Sequence, residues 1–217
     1  MRTKLLIAST TLAVLSLAMP ALAGPPFICH PFDIGSAKSL PWSATNNYLA
    51  LRDDYDVRNV VADIEKLLWV APASTPTIVR METLRRAAVY ASRDRAVAEQ
   101  LLASVMKRVH LADGNTQPIA LFDAGYVVEA LSELEQTGHY EKQLRGLEVT
   151  LAGLTRPSEA RPMLEKALAL RPGDASMEFA LGLISRAPES ETRFKKARVG
   201  AREDDLLANN LARLQIQ

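Results

Sequence analysis

One cysteine, Cys29, stands in the 217 residues. A lone thiol closes no internal disulfide, so packing alone must hold the fold. Cys29 is then a small apolar core residue, a free thiol, or half of a Cys29-linked dimer. An excess of one charge is missing too, with 26 Lys and Arg against 25 Asp and Glu. Without clustered positive charge the chain lacks the footprint of a nucleic-acid binder and an electrostatic hold on an anionic membrane. The Gly-x-Ser-x-Gly elbow, the phosphate-binding glycine loop and the His-Glu-x-x-His pattern are all absent. The sequence therefore points to no catalytic residue and no cofactor. Alternating apolar and polar runs bounded by glycine-rich turns are lacking as well, which argues against a sheet.

What is present begins with an address. Met1-Arg2-Thr3-Lys4 carries two positive charges, Leu5 to Met19 carries none, and Pro20 precedes Ala21-Leu22-Ala23. A charged start, an apolar run and a small-x-small site are the parts of a secretory signal peptide. The run is shorter than the roughly 20 residues that span a bilayer. Lipid attachment at Cys29 needs small residues before it, and Pro26-Phe27-Ile28 stands there instead. The expectation is cleavage after Ala23 and a periplasmic or secreted product, free of the membrane, that starts at Gly24.

Residues 24–47 form a second region. Pro25, Pro26, Pro31 and Pro41 are spread among Phe27, Ile28, Phe32, Ile34, Leu40 and Trp42. Proline resists helix interiors and pushes the residue before it towards extended geometry. The segment is too apolar for a free tail, so it reads as an extended strap laid on a helical body.

Residues 48–140 read as helical hairpins. Val57, Val60, Val61, Ile64, Leu67 and Leu68 recur at helical spacing, with Asp54 or Asp56 placed to cap their start. Thr75-Pro76 predicts a second helix, with Thr75 as cap and Pro76 in the first turn. Ile78, Val79, Met81, Leu84, Ala88 and Tyr90 are its buried side. After a break at Ser92-Arg93-Asp94, Val97, Leu101, Val105 and Val109 mark a third helix that ends near Gly114. Gln117-Pro118 opens a fourth, with Leu121, Ala124, Val128, Leu131 and Leu134 inside and Gly138 after it. Short breaks make neighbouring helices antiparallel.

In residues 141–217 a further pattern emerges. Over 141–174, Leu144, Leu147 and Leu151 precede Ala160, Leu164 and Ala167 at small, large and small positions, with Pro172 closing the unit. From Ala175 a shorter unit follows, carrying Leu181-Gly182 and then Phe194 and Ala197. Ser185 and Glu178 stand where an aromatic residue and a tryptophan are usual. This third of the chain resembles the tetratricopeptide repeat, a helix–turn–helix of about 34 residues. The resemblance implies stacked antiparallel helical hairpins, an α-solenoid, whose concave groove holds a peptide or protein. A last helix with Leu206, Leu207, Leu211 and Leu214 behind Glu203, Asp204 and Asp205 reads as a cap. The fold class expected is all-α.

Few residues suggest chemistry. Cys29, His30 and Asp33 are the one metal-capable cluster, but a structural zinc site needs about four ligands with paired spacing. His110 suits the end of a helix, and His139 follows Gly138 in a loop. Arg80, Arg85, Arg86, Arg93 and Arg95 could form a patch for an acidic partner, but with Glu82, Asp94 and Glu99 beside them they read as a solvated face of local ion pairs. Gly125 costs roughly 1 kcal/mol against alanine inside a helix, which a close helix crossing would offset.

The function expected is an exported helical-repeat binding module for a protein or peptide. A small-ligand or metal-binding protein using Cys29, His30 and Asp33 is the alternative, and an enzyme with a cleft between helices the second. Export makes the first prediction. N-terminal sequencing of the secreted protein returns Gly24, and an intact Met1 terminus retained in membranes would sink the cleavage reading.

Overall fold

The computed structural model describes residues 31–43, 49, 51–138 and 146–214. Residues 1–23, Cys29, His30 and His139 lie outside them. Among the described residues every regular element is helical and there is no strand. No helix there is long and apolar enough to cross a membrane.

Several of the helices start where an acid caps them. The Asp56 carboxylate accepts the Arg58 N–H at 3.1 Å and opens a 3₁₀ turn over Val57–Asn59. That turn runs into α1 (Val60–Ile64), which widens into a π turn at Glu65–Trp69. Val60, Ile64 and Leu68 form its buried stripe. Helix α2 spans Thr77–Ala91. Pro76, not Thr75, is its cap residue: Thr75 and Pro76 are both extended, and no side chain caps the helix. The Pro76 carbonyl takes the first helical bond, from Arg80 at 3.0 Å. Asp94 caps α3 (Arg95–Leu111) by accepting from Ala96 at 2.9 Å and Val97 at 3.3 Å. Helix α4 spans Gln117–Gly138.

The second half is shorter in its pieces. Helix α5 (Leu147–Thr150) is a single turn, followed by α6 (Pro157–Leu170), α7 (Ala175–Ile184), α8 (Glu189–Gly200) and α9 (Asp205–Leu214). Asp174 caps α7 by accepting from Met177, and Asp204 caps α9 by accepting from Leu207, each at 3.0 Å. The first helix expected over 141–174 is thus one turn among the described residues, and Leu144 lies outside them.

Helices α2 and α4 fill the centre. Every residue of α2 except Thr77 and Arg86 is buried. Helix α4 packs most extensively on α6, and also on α2, α3 and α5. Helices α7 and α8 pair, and α2 reaches α7 across the sequence. Strict nearest-neighbour stacking would leave α2 and α7 apart.

Glycines mark close approaches between helices, among them Gly125 and Gly182. A Cβ on Gly125 would lie 2.8 Å from Leu164 Cγ and 2.9 Å from the Ala160 carbonyl oxygen, so α4 and α6 touch there through bare backbone. A Cβ on Gly182 would meet the Phe194 ring at 2.7 Å, which seats α8 on α7. The Gly125 contact yields a prediction. Alanine is the better helix former by about 1 kcal/mol, yet Gly125→Ala lowers stability by about 1–3 kcal/mol through overpacking. Urea unfolding measures it, and a Gly125→Ala/Leu164→Ala double variant falls short of the sum of its singles because removing Leu164 relieves the clash.

Candidate functional site

The helical body grips a stretch of extended chain. Residues 31–43 have no helix or strand and lie against α2, α7 and α9. Phe32 and Leu40 are buried, and Gly35 to Lys38 between them are exposed. The Phe32 ring meets Phe179 edge-on at 6.0 Å.

Most polar contacts read the strap's backbone. Glu82 on α2 accepts the Phe32 N–H at 3.0 Å. The Asn210 amide on α9 accepts the Asp33 N–H at 2.8 Å and donates to the Asp33 carbonyl at 2.9 Å. Arg86 donates to the Leu40 carbonyl at 2.7 Å, and the Tyr90 hydroxyl donates to the Pro41 carbonyl at 2.8 Å. A side-chain contact joins Thr83 to Ser39 at 3.0 Å. Trp42 lies edge-on to Tyr90, with the Arg85 and Arg86 guanidinia 5.0 and 5.5 Å from its ring.

The seat is held by buried charge. Glu82 has no side-chain exposure and pairs with Arg85 at 2.8 Å and Arg86 at 2.6 Å. Burial alone would raise the Glu82 carboxyl, but the two guanidinia outweigh it and hold it below the usual range. A second buried pair joins Arg80 on α2 to Asp123 on α4 at 2.5 Å. Trp69 donates its indole N–H to Asp123 at 3.1 Å, and Arg80 also donates to the Leu68 and Pro72 carbonyls. Arg108 lies over Trp69, 4.7 Å from the ring. The solvated arginine face expected from the sequence is corrected here: Arg80 and Arg85 are buried structural groups. Their helix is sealed on all sides, so each cation is matched by a carboxylate within the core.

A second surface lies on α6, α7 and α8. Two adjoining open grooves of about 440 and 380 Å3 share Arg193 and Lys196 in their walls. Their rims are saturated with ion pairs. Arg193 meets Glu178 at 2.8 Å, Lys196 meets Glu178 at 3.2 Å, and Arg161 meets Glu165 at 2.8 Å and also pairs with Glu189. Glu129 on α4 is half-buried beside this network. Burial pushes its carboxyl up to about 6, with the Arg161 charge pulling the other way.

Of the candidates for metal, Cys29 and His30 lie outside the described residues. Asp33 is a structural tie: one carboxylate oxygen accepts the Gly35 N–H at 2.9 Å and the other meets Arg213 at 3.1 Å. Among the described residues no group of three His, Cys, Asp or Glu is placed to hold a metal ion. His110 is exposed in the last turn of α3. No family model matches the chain, and comparison with curated proteins and with solved structures gives no match.

Sequence reasoning missed Glu82 and Asn210 as the groups that hold the strap. Glu82 had a local signal, since Ile78, Val79, Met81, Leu84, Ala87 and Tyr90 leave α2 no solvent face. Asn210 had none, because its partner is 177 positions away.

Glu129 generates a pH prediction. Its carboxyl moves from 4.5 to about 6 on folding, so the folded chain binds the extra proton between those values. The stability this contributes is full below pH 4.5 and is lost as pH rises through 6. Glu129→Gln therefore flattens that fall and stabilises the protein at pH 8 by up to about 2 kcal/mol. Urea unfolding across the pH range is the measurement, and an unchanged profile contradicts the assignment.

Proposed function

We propose that this chain is an exported helical-repeat protein that holds an extended segment of a protein or peptide partner. One observation carries the reading: the helical body already holds thirteen residues of extended chain, 31–43, largely through backbone atoms. Backbone groups are common to every polypeptide, so a seat built to read them suits peptide recognition.

The tetratricopeptide-like reading of residues 141–217 rests on separate features. Ala160, Leu164 and Ala167 are buried on α6, and Gly182 lets Phe194 approach α7 closely. Export rests on the charged start, apolar run and Ala21-Leu22-Ala23 of residues 1–23. The saturated ion pairs around the α6–α8 grooves leave little unspent charge for an ionic ligand, which favours the strap seat as the binding surface.

The test uses residues 24–217 immobilised as bait in the native extracytoplasmic extract, with mass spectrometry of the retained proteins. The expected result is one reproducible partner whose retention drops when Asn210→Ala and Arg213→Ala loosen the seat. A bait that retains nothing reproducible ends the binding-module reading.

A further inference from the structure

The strap seat has the construction of a receptor. Its first anchor buries an aromatic ring, Phe32, against Phe179. Its second buries Leu40, eight positions on. Its third places an aromatic ring, Trp42, beside two guanidinia. Between the first two anchors the chain is exposed at Gly35, Ser36, Ala37 and Lys38.

The groups that do the gripping are held from the body's side. Glu82 is fixed by Arg85 and Arg86, and the Asn210 amide donates to the Leu206 carbonyl of its own helix at 2.7 Å. Neither needs the strap to keep its place, so the seat is pre-organised. The strap contributes little structure of its own. Within residues 31–43 the described backbone bond is Ala37 N–H to the Ile34 carbonyl, at 3.1 Å. Its conformation is imposed by the seat.

Resting on the binding-module reading above, we propose that the seat is a receptor for an extended segment of another protein, occupied here in cis by residues 31–43. The partner segment carries an aromatic residue, then an acidic one, with a leucine eight positions after the aromatic and a second aromatic two beyond that leucine. The acid follows from the Arg213 contact to Asp33, and the spacing from Phe32, Leu40 and Trp42. A tethered occupant competes at an effective concentration on the order of millimolar. The strap therefore sets a threshold: weak peptides are excluded and a well-matched segment displaces it.

The experiment keeps the whole mature chain. A protease site replaces residues 44–48, the chain is folded and checked by circular dichroism, and the site is then cut. The probe is a fluorescein-labelled peptide of residues 31–43, read by anisotropy against cut and uncut protein. The expected result is binding to the cut chain at least about 100-fold tighter than to the uncut one. Phe32→Ala or Leu40→Ala in the probe weakens it about 10-fold or more, and Ser36→Ala or Lys38→Ala leaves it unchanged. The cut body keeps its helical spectrum after the strap is washed out.

Loss of that spectrum would make the strap an inseparable part of the core and overturn the proposal. So would a probe that never enters, equal sensitivity at every probe position, or a dimer in which two chains exchange straps. If the extract yields a partner while the cut chain refuses the probe, this inference falls and the broader binding reading stands. If the probe enters and the extract yields nothing, the seat is real and the broader reading falls.

Discussion

A carboxylate sealed from water, Glu82, is the point on which the structure turns. Taking one charge into the interior costs several kcal/mol unless it is paired and hydrogen-bonded, and removing one partner of such a group costs about 3–5 kcal/mol. Glu82 meets the demand with Arg85, Arg86 and the Phe32 N–H. The first two partners are its own helical neighbours. The third comes from the strap, so residues 31–43 add one backbone donor to a carboxylate that its own helix already pairs.

Arg80 and Asp123 solve the same problem differently. Their pair joins α2 to α4, and Trp69 and the Leu68 and Pro72 carbonyls take up the remaining donors and acceptors. The π turn at Glu65–Trp69 supplies Trp69 for this purpose. The two buried centres sit on one helix, two residues apart in sequence. Glu82 ties α2 to the strap and Arg80 ties it to the helical core, which makes α2 the member that registers one against the other.

Local chemistry lies within reach of a short window, and long-range chemistry does not, though even locally Thr75 looks like a cap and is not one. Asp56, Asp94, Asp174 and Asp204 cap helices through bonds to residues two or three positions on, an interaction a short window contains. The helix-crossing role of Gly125 could be inferred from its cost in a helix, though not its contact, Leu164. The apolar residues of the proline-rich segment signalled that it packs on something. Their seat could not be read, because it is assembled from α2, α7 and α9. The arginines of α2 misled for a physical reason: Glu82 at i−3 and i−4 looks the same in a solvated face as in a core, and the difference lies in what covers the helix.

The clamp between Asp33 and Asn210 spans 177 positions. Synthesis delivers the first of these long before the second. At about 5–20 residues per second the strap waits roughly ten to thirty-five seconds for its last helix to be made. During that interval the Asp33 N–H and carbonyl lack their Asn210 partner, although α2 and α7, which meet Phe32 and Leu40, are already made. The final turn of the molecule thus dates the moment at which the beginning can settle.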